Sequence, residues 1–379
     1  MKVTICGAGR TGHLNAVLFK KKPAIEVSVL TSDAALAERW AKGNGIWQAE
    51  TRDGQILSAR PDHVGTDPGQ ALENADLVII TQPAQARPAL LSRIAPHLPR
   101  DRSVYIGAIP GFCGFDWLAA KALASHDNIV IWGMKDVPHI AFDLIAGERV
   151  RMGGAKAELF VALHRRENTA SGAALTAMLN RLYDAPVTLL QDYLEITLTP
   201  GNALMHPAVL YGLIGPGGPF EKRPFDHPLC WWSDCPQAGA ELLEACDAEN
   251  QALRRASEAR LGIDLGSVKP LRQELIEAYG DQIEDDRTMY TLLRTNRAYA
   301  DILAPLIPNP HGPGLVIDRE SRAFHEDIAF GQALLVTIAE RLGVPVPAIA
   351  RTYRWARDYH GGLANGAPDY VPSNWPEAA

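Results

Sequence analysis

Short apolar runs bounded by glycine, proline or polar turns recur through the first half of the chain. They are 3–6, the alternating stretch 24–30, 75–80 ahead of the turn Thr81-Gln82-Pro83, and 103–108. Rich in β-branched residues and too short for helices, they predict parallel strands buried on both faces. Residues 14–19 and 86–98 read as helices between them, the second of the right length for a right-handed crossover. Residues 128–132 and 149–152 predict further strands, with 135–139 as a polar loop at the rim. After Pro186 the period changes to that of amphipathic helices, expected over 189–198, 203–213, 238–261, 268–279, 287–304, 326–342 and 348–359. The chain therefore reads as α/β: a doubly wound parallel sheet over 1–185, followed by a mostly helical domain over 186–379. From Gly361 the periodicity fades, as in a tail on the surface or on a partner subunit.

The first turn carries the most specific motif. In Lys2-Val3-Thr4-Ile5-Cys6-Gly7-Ala8-Gly9-Arg10-Thr11-Gly12-His13 an apolar strand enters a glycine turn and then an apolar helix. Gly7 suits the tight turn, Gly9 lets backbone approach a pyrophosphate, and Gly12 lets helix and strand pack closely, so residues Gly7, Ala8, Gly9, Arg10, Thr11 and Gly12 are expected to hold a dinucleotide at the helix N-terminus. This is the fingerprint of a Rossmann-type domain. The second strand ends in Thr31-Ser32, with Asp33 one step late and Arg39 further on. Small hydroxyls and an Arg suit a 2′-phosphate, which favours NADP(H); an inward-turned Asp33 would serve NAD(H), and Thr31-Ser32-Asp33 is also an ordinary helix N-cap. Gln82, at a strand C-terminus, is expected on the nicotinamide side.

Size and composition add bounds. A chain of 379 residues, 47% hydrophobic and 21% charged, has material for two cores. A net charge of −7 offers no general attraction to nucleic acid or to an anionic membrane. No apolar run spans a bilayer and the N-terminus does not read as a signal peptide. Five cysteines, an odd number scattered along the chain, suggest reduced thiols and a cytoplasmic location. Cys230 and Cys235 lack a second ligand pair at metal spacing, so no metal site is expected.

Proton chemistry has two candidate clusters in the second domain. Asn202 and His206 stand four apart and share a helix face, although a His before Pro207 is also a common packing or capping residue. Arg322 and Asp327 flank the start of an apolar helix, either as capping groups or, with His206, as a carboxylate clamp and an acid/base dyad. His139, in the expected rim loop, is a further substrate-binding candidate or a surface His.

The glycine turn, the Asn202-x-x-x-His206-Pro207 segment and Glu326-Asp327-Ile328-Ala329-Phe330-Gly331, in this order and separation, resemble the octopine and nopaline (opine) dehydrogenases over nearly the whole chain. Residues 285–288 leading into 293–300 look closer to the bacterial enzymes that complete opine metallophores such as staphylopine and pseudopaline. The 135–142 loop departs from the family pattern. The resemblance implies a reductive condensation: an amino-acid-like amine and an α-keto acid, pyruvate or 2-oxoglutarate, form an imine that NAD(P)H reduces. It places the catalytic dyad on His206 and Asp327 and the keto-acid carboxylate on Arg322, and it suggests a homodimer. Two other readings stay open. A β-hydroxyacid or ketopantoate-type reductase would use Lys135 as proton donor, and a nucleotide-sensing or scaffold protein would bind NADP(H) without chemistry.

Overall fold

The computed structural model describes residues 1–363 and 366–377. It divides into two compact units, Met1–Thr197 and Leu198–Ala379. The strands of unit 1 are β1 (Lys2–Cys6), β2 (Glu26–Leu30), β3 (Trp47–Glu50), β4 (Ile56–Ala59), β5 (His63–Gly65), β6 (Leu77–Ile80), β7 (Val104–Ala108), β8 (Ile129–Met134), β9 (His139–Ile145), β10 (Arg149–Ala155), β11 (Leu159–Leu163) and β12 (Val187–Leu189). Its helices are α1 (Arg10–Lys20), α2 (Ala34–Lys42), α3 (Pro68–Leu72), α4 (Arg87–Ile94), α5 (Phe115–Ala122), α6 (Thr169–Asn180) and the short α7 (Leu194–Thr197).

The expected doubly wound sheet has the order β12-β11-β8-β7-β6-β1-β2-β5. From β5 to β8 every neighbour is parallel; β11 runs antiparallel to β8 and parallel to β12. Helices cover both faces, so β1, β6 and β7 bury Val3, Ile5, Leu77, Val78, Ile79 and Ile106 completely. That burial is why these strands read as continuous apolar runs.

Two expectations for this unit change. A second, four-stranded sheet of order β4-β3-β10-β9 lies against α1 and takes up residues 149–152, which the apolar pattern had suggested for the main sheet. His13 of α1 stacks on Trp47 of β3 at 4.5 Å, and its Nε2 meets the Gln48 carbonyl at 3.1 Å. Burial in that stack lowers His13 to about 4, so its ring is neutral. The strands escape a periodicity reading because β9 exposes Ile140, Phe142 and Ile145 and is interrupted by Asp143 at φ +46°. The second change is the boundary between units, which falls after Thr197 rather than after 185. Of the helix expected over 189–198, Leu189 instead ends β12 and only Leu194–Thr197 is helical, as α7, while Tyr193 Oη between them donates to the Gly111 carbonyl at 2.9 Å.

Asp116, in the first turn of α5, is 4% exposed, and its Oδ1 has no hydrogen-bond partner among the described residues. Burial, reinforced by Asp192, pushes its carboxyl up to about 8. The native state therefore holds a proton that the unfolded chain releases near pH 4, so stability falls as pH rises from about 4 to 8, by up to about 1.4 kcal/mol per pH unit. Asp116→Asn mimics the protonated form. It is expected to raise Tm at pH 8 by several degrees, at roughly 2–4 °C per kcal/mol, and to leave Tm unchanged near pH 4. Thermal melts of both proteins across this range check it; an equal effect at both ends would refute the assignment.

Unit 2 is helical as expected: α8 (Asn202–Ile214), α9 (Gln237–Leu261), α10 (Leu271–Tyr279), α11 (Met289–Thr295), α12 (Ala333–Leu342) and α13 (Pro347–His360), with a small ribbon of β13 (Leu306–Pro308) and β14 (Leu315–Ile317). Leu204, Val209, Leu243, Leu253, Leu292, Ile328, Leu335 and Ile349 form its core. The helix expected over 287–304 stops at Thr295, because the Asn296 side chain accepts from Ala298 N and opens a single 3-10 turn. The helix expected over 326–342 is two pieces, a π-helix at Ala323–Gln332 that runs into α12. Of the expected tail, residues 364, 365, 378 and 379 lie outside the described ones, while Tyr370, Val371 and Trp375 are buried.

Candidate active site

The glycine turn of unit 1 fits a dinucleotide phosphate. Gly7 sits at φ +122°, and a Cβ there would meet Thr81 Oγ1 at 2.6 Å; a Cβ on Gly12 would stand 1.9 Å from the Gly7 carbonyl oxygen. Both positions therefore require glycine. Gly9 differs, since a Cβ would meet nothing within 4 Å. It is the N-cap of α1, with no side-chain cap and no acidic residue in the first helical turn. The N–H groups of that turn thus face open space beside a bare backbone, the arrangement an anionic pyrophosphate completes. Ala8 and Thr11 are half-buried and Arg10 is exposed at this turn.

At the end of β2, Asp33 N donates to Thr31 Oγ1 at 3.1 Å, and Asp33 Oδ1 accepts from Leu36 N at 2.9 Å. The capping role of 31–33 is therefore realised, with Ser32 exposed beside it. Arg39 is exposed on α2 and donates to the Ala146 carbonyl at 3.4 Å. After β6, Gln82 is half-buried, and its carbonyl accepts from the buried Arg87. Arg87 also donates to the Phe112 and Pro110 carbonyls at 2.8 and 2.9 Å, tying together the segments that follow β6 and β7. Sequence reading missed it, because one Arg at the head of an apolar helix looks like an ordinary surface residue.

His139 does not lie in a rim loop. It opens β9 and lines a separate cavity of about 620 Å³ with Leu18, Lys21, Lys22, Lys156 and Tyr183. Those residues gather at the C-terminal end of α1, roughly 16 Å from the glycine turn at 1.5 Å per residue. The expected rim-loop position of His139 is thus corrected to the start of a strand, beside the end of α1 opposite the glycine turn.

In unit 2 the fold brings together two residues that are 121 apart. His206 Nδ1 lies 2.7 Å from Asp327 Oδ2; the His side chain is 15% exposed and the Asp side chain 1%. His206 projects from α8 one turn after the half-buried Asn202. Asp327 comes from the π-helix, whose i→i+5 bonding brings residues five apart closer to a common face than an α-helix does. Arg322, five before Asp327, caps that helix. It is half-exposed, and its Nε contacts the buried Glu326 carboxylate. Glu326 was not foreseen as its partner, although the i,i+4 spacing is a legible signal.

Trp231 and Trp232 also escaped the sequence reading. The Trp232 ring lies parallel to His206, with centroids 5.2 Å apart and planes at 3°, and Trp231 approaches at 5.0 Å and 57°. Their loop is held by Trp231 N to the Ile302 carbonyl, Cys230 N to Asp234 Oδ2 and Arg294 Nη1 to the Ser233 carbonyl. Arg287 pairs with Asp285, and Arg297 donates to the Asp281 carbonyl. All five cysteines are free thiols, with Cys235 and Cys246 pushed up to about 12 by burial. No helix of the described residues is long and apolar enough to cross a membrane.

Residues 189–360 match the family described as NAD/NADP octopine/nopaline dehydrogenase, alpha-helical domain. The chain is 82% identical, over the full length of both, to an uncharacterised protein of Sinorhizobium fredii. It is 30% identical to the tauropine dehydrogenase of Arabella iricolor, with 95% of this chain and 91% of that one covered. A solved octopine dehydrogenase holding NADH and L-arginine superposes with a TM-score of 0.85 at 28% identity, covering 95% of this chain and 90% of that one. The same enzyme with NADH and pyruvate gives 0.80 at 25%, covering 95% and 89%. The chain therefore belongs to the octopine dehydrogenase family, NAD(P)H-dependent oxidoreductases that join an amine to an α-keto acid by reductive condensation.

Proposed function

We propose that His206 and Asp327 are the catalytic dyad of this condensation, and that Arg322 and Asn202 hold its substrates. The observation that carries the reading is the 2.7 Å contact between a half-buried imidazole and a carboxylate sealed from solvent. Asp327 accepts from Nδ1–H, which fixes the tautomer and leaves Nε2 to move protons. Nε2 takes a proton from the substrate ammonium, so that its nitrogen attacks the keto carbon, and returns one to the hydroxyl that leaves as water. Trp231 and Trp232 hold the ring in place and limit water around it. Arg322, oriented by Glu326, pairs with the keto-acid carboxylate. Bound NAD(P)H supplies the hydride that reduces the imine carbon, and the resulting nitrogen is a secondary amine.

The amine is an amino acid or a derivative of one, as with the arginine held by the similar octopine dehydrogenase, and the acceptor is pyruvate or 2-oxoglutarate. A larger amino-carboxylate of the metallophore type is the second amine class. NADPH is the preferred reductant: Asp33, the acid at the end of β2, is engaged as the α2 cap, and Thr31, Ser32 and Arg39 are the residues that would meet a 2′-phosphate there. A panel of amines crossed with keto acids, following NADPH and NADH oxidation, tests all of this. Turnover is expected only with both substrates present and with a higher kcat/KM for NADPH. Oxidation driven by a keto acid alone would instead indicate a simple ketone reductase.

A further inference from the structure

We propose that Glu320, His325 and His360 form a binding site for a divalent cation of the zinc class. His325 stands in the first turn of the π-helix and His360 is the last residue of α13; their rings meet edge to face with centroids 5.2 Å apart. Glu320, from the loop before the π-helix, brings Oε2 to 3.1 Å of His325 Nε2. One ligand atom from each of the three residues lies within 4.8 Å of the other two. Ligands bound to tetrahedral zinc at about 2.0–2.2 Å stand roughly 3.3 Å from one another. The Glu320–His325 pair is already near that spacing, and a modest turn of the His360 side chain would bring its ligand atom there from within 4.8 Å. Glu320 is 81% exposed, so its carboxylate is free to swing with the ion.

A second observation points to a ligand. Both ring nitrogens of His360 are shielded from solvent, and neither makes a hydrogen bond of ordinary length and angle among the described residues, although the Arg319 backbone lies against the ring. An imidazole carries one N–H and one lone pair, and leaving both unmet is costly unless an ion takes the lone pair. The Arg319 guanidinium stacks on Tyr359 at 4.5 Å. Two imidazoles and one carboxylate select zinc-class ions over magnesium or calcium, and three protein ligands leave a fourth position for water. The ion would clamp the end of α13 to the start of the π-helix, which carries Asp327 two residues after His325. This inference does not depend on the proposed reaction.

The test uses the full chain stripped with a chelator and desalted. Titration with zinc chloride in a calorimeter is expected to give one site per chain, with magnesium chloride giving none. Glu320→Gln and His360→Ala should each weaken zinc binding more than about tenfold, with the unliganded melting temperature of Glu320→Gln unchanged. Zinc should also raise the Tm of the native protein in a concentration-dependent way. Cobalt substitution provides a second readout, since a tetrahedral visible spectrum should appear in the native protein and vanish in His325→Ala/His360→Ala. Equal zinc affinity in the native protein and that double variant would overturn the proposal.

Discussion

Replacing His206 by alanine is expected to lower kcat for the amine–keto acid condensation roughly 10²–10⁴-fold, the range that a positioned acid/base group contributes. NAD(P)H affinity should stay unchanged, since the glycine turn belongs to unit 1 and His206 to unit 2. Alanine is a good helix former, so α8 should keep its fold, and a matching melting curve would confirm that. Asp327→Asn is the sharper companion. It preserves size but lets the amide donate where the carboxylate accepted, which turns the imidazole to the wrong tautomer. Its kcat should fall nearly as far. The double variant should lose little more than either single one, because the two residues act as a unit. Single variants that keep more than about a tenth of native turnover would remove His206 and Asp327 from the chemistry.

Gly9→Asp is expected to lower NAD(P)H affinity roughly 100-fold while leaving the protein as stable as before or slightly more so. The two effects have separate causes. Gly9 has φ −72° and ψ −172°, a conformation any residue adopts, and a Cβ there meets nothing within 4 Å. An Asp at this N-cap also accepts from the free N–H groups of α1, worth a few tenths of a kcal/mol over Gly. That same carboxylate occupies the anion position and repels the pyrophosphate. Fluorescence titration with NADPH and NADH beside a thermal melt separates the two effects. Unchanged affinity would mean that the phosphates lie elsewhere. A variant at Gly12 is a poorer probe, since its Cβ would strike the Gly7 carbonyl oxygen at 1.9 Å and damage the fold itself.

Much of this architecture was legible because it is local. The strands of the main sheet are buried on both faces, so each appears as an apolar run, and the close approach of Gly12 to the Gly7 carbonyl joins residues of the same turn. The helices of unit 2 announce themselves by period, and α9 at Gln237–Leu261 lies within a residue of its expected bounds at 238–261. The second sheet was not legible, because its outer strand β9 turns apolar side chains toward solvent, and β10 joins β3 across a long stretch of chain, Arg149 opposite Gln48. The Thr31-Ser32-Asp33 segment was ambiguous for a related reason. A capping residue and a ribose ligand share one composition, and only the hydrogen bond to Leu36 N shows that Asp33 caps α2 in this fold.

The sequence by itself determined the glycine turn, the central strands of the main sheet, most of the helices of unit 2 and the residue types able to move protons, since each follows from propensity and period over a few residues. Tertiary structure alone decided that Asp327 meets His206 across 121 residues, that a π-helix rather than an α-helix carries it, and that Trp231 and Trp232 enclose the imidazole. These are outcomes of long-range packing. A buried carboxylate must find a donor and an aromatic face must find a neighbour, and which ones they find depends on how whole helices bury their surfaces together rather than on the residues beside them in the chain.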